Sequence, residues 1–381
     1  MNALRTIAFT AFLSLSLVSA TAHSACCCPF CSAPSLTLTE QLTQSDAAVL
    51  VQWVDGKPPE EKTAGSTTYL IVEVARGPKD KLKKDDKIAV PRYRAGKKGD
   101  LFLLTGVKDK EIDWQAPLEV SEASYQYIVQ APSTETPAAK RLEYFWKFLE
   151  FPDQLVSNDA YGEFANAPYE DILKIRGKMD RTKIAKWLTA KETSPTRVGL
   201  YGLLLGLCGQ PEDAEVMRKK IEEKTEDFRL GIDGVTSGYL LLTGGDGLDV
   251  IDKTKLRDKK APFSETYAAM QALRFMWSYG NDRISKERLR QSMRELLDRP
   301  ELADLVVADL ARWEDWSIQD RLMSLYGAKN FDDRQTRKAI VGYFLAATKA
   351  KSAEVKLQAR KNLDKLRERD SAIVSDVERK F

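Results

Sequence analysis

Four of the five cysteines in this 381-residue chain crowd into Cys26, Cys27, Cys28 and Cys31. Such a cluster can close disulfides, and Cys28-Pro29-Phe30-Cys31 also has the C-x-x-C spacing of dithiol redox centres and of half a zinc site. The motif does not open a helix after a strand, as a thioredoxin-like centre would. Neither a second C-x-x-C nor a histidine is in place to complete a zinc shell. The reading is therefore of disulfides, local or intermolecular, that tie this segment down. Cys208 stands in an apolar helical pattern with Leu203, Leu204, Leu205 and Leu207 and reads as a small buried hydrophobe. The single histidine, His23, lies at the edge of an N-terminal export segment. That excludes Ser-His-Asp and Cys-His hydrolases, His-ligated zinc and imidazole relays.

A second group with chemical potential is cationic. Between residues 76 and 98 there are ten Lys/Arg (Arg76, Lys79, Lys81, Lys83, Lys84, Lys87, Arg92, Arg94, Lys97, Lys98) against three acids, a local net charge of +7 in a chain whose total is +3. Such a turn fits an anionic polysaccharide, lipid headgroups or an acidic partner, or else a solvated loop whose lysines keep strand edges apart. Nucleic acid is a poor fit, because few aromatic residues interleave the charges. Gly244-Gly-Asp-Gly-Leu-Asp249 has too few ligands for a calcium loop and reads as a turn and helix cap. Acid pairs such as Glu314/Asp315 read as solvated faces, while Trp313/Trp316 and the aromatic run 144–148 read as core. No phosphate-binding loop, Gly-x-Ser-x-Gly or Ser-x-x-Lys occurs. No cofactor, metal or catalytic residue is expected.

These groups need a scaffold, and the composition says that one exists: hydrophobic residues make up 43% and charged residues 30%, ordinary values for a folded chain. Residues 1–25 carry Arg5, an apolar run and small residues at Ala20, Ala22 and Ala25, the pattern of a secretory signal peptide. Cleavage after Ala25 would leave Cys26 first and permit lipidation. No later window is long and apolar enough for a transmembrane helix, so the expected chain is exported, periplasmic or extracellular, and is not transmembrane.

From 47 to 131 the periodicity is that of strands: 47–54, 67–75, 87–90, 101–105 and 125–130, divided by Gly-, Pro- and Lys-rich turns. The Cys-rich start, Pro34, a helical stretch up to Ser45-Asp46, a strand ending Val74-Ala75-Arg76-Gly77 and the Gly99-to-Leu104 strand resemble the netrin-like OB-fold modules of metalloproteinase inhibitors. That resemblance implies a small closed barrel over residues 26–131, and a leading Cys26 that could approach a protease zinc. It departs from the family in having no cysteine between Cys31 and Cys208 to complete the usual disulfides.

Residues 132–137 read as a polar linker, after which the period changes to 3.6. Helical runs stop at Gly209, Gly244 and Gly280, spaced 35 and 36 residues apart, each read as a left-handed C-cap. Amphipathic helices around Met217, Ile251 and Met293 follow those stops. Helix pairs of this period resemble HEAT-like α-solenoids over 138–381, with two charged helices, 354–369 and 371–380, as a terminal cap. The expected class is α+β multidomain: an OB-like barrel followed by an all-α solenoid. The whole layout resembles exported bacterial proteins built this way. It predicts a non-enzymatic scaffold binding a protein partner on its helical surface, with an envelope-anchored lipoprotein or an inhibitor-like module as alternatives.

Overall fold

The computed structural model describes residues 28–31, 35–61, 64–78, 80–223, 225 and 227–381. The expected signal peptide, Cys26, Cys27 and Lys79 lie outside the described residues. The chain is α+β, with a small antiparallel sheet followed by a long succession of helices.

A capping box starts the first helix, α1 (Leu38–Gln44): the Thr37 hydroxyl accepts from the Glu40 backbone N–H, and the Glu40 carboxylate accepts from that of Thr37. Six strands follow, β1 (Ala47–Lys57), β2 (Ser66–Arg76), β3 (Lys87–Val90), β4 (Leu101–Lys108), β5 (Ile112–Trp114) and β6 (Leu118–Glu119). Their order is β3-β2-β1-β4-β5, with β6 also on β4. Central β1 explains its own sequence. Its first five residues, AAVLV, are buried on both faces, so they are apolar without alternation. Ala47, Val49 and Val51 meet Tyr69, Ile71, Phe102 and Leu104 in a core of the sheet's own. Ala48 and Leu50, with Leu103, face the other way into the helical core. Register shifts along the β1–β2 ladder mark irregularities of the bulge kind, which bend a strand.

The expected barrel is not closed: β3 and β5 are both free edges. The predicted strand at 125–130 is instead helix α2 (Glu122–Gln130). Tyr125, Tyr127 and Val129 alternate like a strand, but Ser121 caps a helix by accepting from the Ser124 N–H, and Ser124, Tyr125 and Ile128 then share its buried side. Short β5 and β6 take the place of the missing strand without closing the sheet.

The helices are α3 (Ala138–Phe145), α4 (Gln154–Asn166), α5 (Tyr169–Lys174), α6 (Arg181–Thr189), α7 (Pro195–Cys208), α8 (Pro211–Glu222), α9 (Ile232–Thr243) and α10 (Gly245–Ile251). They continue with α11 (Phe263–Tyr279), α12 (Lys286–Glu295), α13 (Ala303–Arg312), α14 (Gln319–Leu325), α15 (Arg334–Ala347) and α16 (Ala353–Glu378). A π-helical turn, Asp252–Leu256, extends α10. Asp370, at φ −154° and ψ 66°, breaks α16 in two, as the sequence pattern expected. α7 packs on α9 and α9 on α11; α13 packs on α15 and α15 on α16; α6 and α8 lie against α7 and α9.

The α7–α9 seam brings backbone against backbone. A Cβ added at Gly206 would lie 2.3 Å from the Gly238 Cα, and one at Gly238 would lie 2.0 Å from the Gly202 carbonyl oxygen. Such distances leave no room for a methyl group.

Gly209, Gly244 and Gly280 are the C-cap residues of α7, α9 and α11, and the ends of α9 and α11 are tied together by Arg283, whose guanidinium donates to the Leu242 carbonyl at 2.6 Å. Their expected left-handed geometry is corrected. Gly209 is extended (φ −73°, ψ 174°), Gly280 is right-handed (φ −74°, ψ −1°), and Gly244 alone has a positive φ of 64°, with ψ −136° outside the left-handed helical well. At Gly209 and Gly280 the constraint is space, since an added Cβ would sit 2.4 and 2.5 Å from the carbonyls of Leu205 and Met276.

Candidate functional site

Cys28 and Cys31 form a disulfide of 2.01 Å across a turn closed by the Cys31 N–H on the Cys28 carbonyl. Phe30 at its tip contacts Phe275 of α11 at 5.1 Å between ring centroids, beside Tyr169 and Tyr279. The turn is thus an anchor onto the helices. Cys208 carries a free thiol, half-buried, which burial pushes up to about 11. The aromatic run is core: Tyr144, Phe145 and Phe148 cluster around Tyr127. Trp313 is buried and stacked on Trp277 at 4.3 Å.

The acids that looked solvated are not all so. Glu314 is exposed, but Asp315 is 2% exposed and accepts from Arg294 at 2.6 and 2.9 Å. The pattern recurs along the helices. Asp309 pairs with Arg274 at 2.6 Å, Asp252 with Arg288 at 2.8 Å, Asp213 with Arg181 at 2.8 Å, and Glu163 with Arg141. Each of these buried carboxylates is met by an arginine, which offsets the cost of burying it. The calcium-like loop is a helix start, as read: Gly244 is the N-cap of α10, and Asp249 accepts from Arg288.

Two places stand apart from this packed interior. The first is a cleft of about 890 Å³ between the end of α8, the π turn and the start of α11, lined by Glu222, Glu223, Lys253, Lys260 and Pro262 among others. Glu265 forms its base. Its carboxylate, 5% exposed, accepts from Arg229 Nε at 2.8 Å and from Lys255 Nζ at 2.7 Å. Burial alone would raise this carboxyl, yet the bonds from Arg229 and Lys255 hold it below its ordinary value. Arg229 also donates to the Lys220 and Ile221 carbonyls, joining the end of α8 to α11. On either side of Arg229, Phe228 and Leu230 are 74% and 44% exposed, and Phe263, next to Pro262, is 50% exposed. The sequence reading missed this cleft. A π turn and an irregular loop build it, and neither has a local signature.

The second place holds the predicted cationic residues. Lys81, Lys83 and Lys84 lie in the β2–β3 turn, Lys87 opens β3, and Arg92, Arg94, Lys97 and Lys98 lie between β3 and β4; all are exposed. The turn is held by Leu82, which enters the sheet's own core. The segment after β3 is held more tightly. Fully buried Thr67 accepts from the Arg94 N–H at 2.7 Å and donates to the Arg92 carbonyl at 2.9 Å. Trp53 Nε1 donates to the Arg94 carbonyl at 2.9 Å, while Gly96 lies against the indole so closely that a Cβ there would be 2.7 Å away. The Asp100 carboxylate accepts from the Lys97 N–H at 2.7 Å.

No family model, no curated protein and no solved structure matches this chain. Among the described residues no helix is long and apolar enough to cross a membrane, and no group of three or more His, Cys, Asp or Glu is placed to hold a metal ion.

Proposed function

We propose that this chain is a non-enzymatic interaction protein whose helical part holds a polypeptide segment of a partner in the cleft at Glu265. The cleft carries the reading. Its volume of about 890 Å³ falls among those of binding pockets, and exposed Phe228 and Phe263 are close in sequence to its lining residues Thr225 and Pro262. Its walls mix Lys253 and Lys260 with Glu222, Glu223 and Asp258. Such a mixture suits a polypeptide with both charges and apolar side chains better than a uniformly charged polymer.

The fold reading that accompanies it is a HEAT-like succession of helix pairs. Support comes from ion pairs that repeat at the interval of one pair: Arg229–Glu265, Arg274–Asp309 and Arg288–Asp252 are 36, 35 and 36 residues apart. For the sheet, the central bent β1 supports an unrolled relative of the OB barrel. Export belongs to the same proposal and rests on the pattern of residues 1–25.

The test uses the full chain and its Phe228→Ser/Phe263→Ser variant as baits in the same extract, after matching their thermal unfolding. A partner retained by the wild type and reduced about tenfold or more by the variant supports the cleft. Equal recovery by both rejects it.

A further inference from the structure

We infer that the β3 edge of the sheet, with the turn before it and the loop after it, is a binding track for an anionic polysaccharide. The site is separate from the helical cleft and does not depend on it.

Three observations carry this. Of the eight described basic residues from Lys81 to Lys98, Arg94 alone makes an ion pair, with exposed Glu119 at 3.3 Å. The arginines facing buried acids in the helices do the opposite. Nearby acids do not cancel the lysines' charge by contact: the Asp86 and Asp100 carboxylates accept from the backbone N–H groups of Lys83 and Lys97.

The two basic clusters lie at opposite ends of β3, and the second runs on across the end of the sheet, where Arg94 meets Phe102 of β4 and Glu119 of β6. Lys81, Lys83 and Lys84 precede β3, Lys87 begins it, and Arg92, Arg94, Lys97 and Lys98 follow it. The strand's four residues separate the two basic clusters by about 13 Å of extended chain. A linear polymer with charge repeated along its length can meet both clusters at once.

The far cluster is built in advance. Thr67, Trp53 and Asp100 fix the loop backbone at Arg92, Arg94 and Lys97, so little of it has to be ordered on binding. A loop serving only to blunt a strand edge needs none of this bracing.

The same geometry selects the polymer. No strongly exposed large hydrophobic side chain belongs to residues 80–100, so nothing there would enter a bilayer. Trp53, against Gly96, and Tyr93, against Gly56, are both half-buried, so no fully exposed aromatic ring stands among these cations to stack on a nucleic-acid base. Sulfate or carboxylate groups on a sugar chain need only the cations.

The experiment measures binding of the full chain to heparin and to alginate, with neutral dextran, phosphatidylserine vesicles and single-stranded DNA alongside. The wild type should bind heparin or alginate with an affinity that falls as salt rises, and should ignore dextran. The variant Lys83→Gln/Lys84→Gln/Arg92→Gln/Lys97→Gln/Lys98→Gln should lose about tenfold or more while keeping its unfolding temperature and oligomeric state. A Lys253→Gln/Lys260→Gln variant, which removes the same kind of charge from the cleft, should bind as the wild type does. The inference is overturned if the loop variant binds undiminished, if the cleft variant loses as much, or if vesicles or DNA bind at least as tightly as the polysaccharides. Aggregation of the loop variant without loss of binding also overturns it, since the lysines then only guard an edge.

Discussion

The α7–α9 seam and the β3 edge are built on opposite terms. Along the seam, two helices approach until a methyl group has no place, and the buried acids of the helical part are each met by an arginine. Along the edge, cations stand in solvent with backbone bonds holding the loop beneath them and almost no side-chain partners. Charge in the helices therefore serves to join one helix to another, whereas charge on the sheet is left available. The contrast separates residues whose removal should unfold the protein from residues whose removal should leave it folded.

The largest loss is expected where a paired charge is deleted. Glu265→Ala strands Arg229 and Lys255 together, both mostly buried, and should cost about 3–5 kcal/mol in chemical denaturation. Gly238→Val follows, at about 3 kcal/mol, because its side chain would meet the Gly202 carbonyl and force α7 and α9 apart. A cost below about 1 kcal/mol would mean that the seam is loose and would remove the contrast.

Asp159 tests the join between the two regions. Its carboxylate accepts from the Leu38 N–H at 2.6 Å and the Tyr127 hydroxyl at 2.7 Å, tying the start of α1 and α2 to α4. Burial raises this carboxyl to about 6, from an ordinary value of 3.8. Between those two values the folded chain binds more protons than the unfolded one. The Asp159 contribution is therefore fully present below about pH 4 and is lost as pH rises through 6, a change on the order of 3 kcal/mol. Asp159→Asn should flatten that part of the stability–pH curve; an unchanged slope assigns it to other groups. At the small end, Lys84→Gln on the sheet should change stability by no more than about 0.5 kcal/mol in the same denaturation assay. A larger loss would mean that the edge lysines are structural after all.

Much of this architecture was legible in the chain. β1 to β4, the helical character beyond 138 and the break at Asp370 follow from periodicity and punctuation. What escaped did so for physical reasons. Tyr125, Tyr127 and Val129 alternate like a strand, and only the Ser121 cap and packing decide for a helix. Asp315 looks solvated beside Glu314, because its partner Arg294 lies a turn and a helix earlier. The cationic turn was legible as charge, but its bracing by Thr67 and Trp53 joins residues about a strand apart in space and far apart in sequence. The glycine seam has a local trace, Gly199/Gly202/Gly206 and Gly231/Gly234/Gly238, yet nothing in either triplet says that the two should meet.

Phe30 touches Phe275, so the chain's early residues come to rest against its middle. During synthesis that neighbour emerges only after some 245 further residues have been added. The sheet and the first helices can therefore form early, but this fastening is among the last events, and contacts of such long sequence separation slow folding. A fragment starting at residue 138 would leave Tyr169, Phe275 and Tyr279 without their cover and should be stickier than the intact protein.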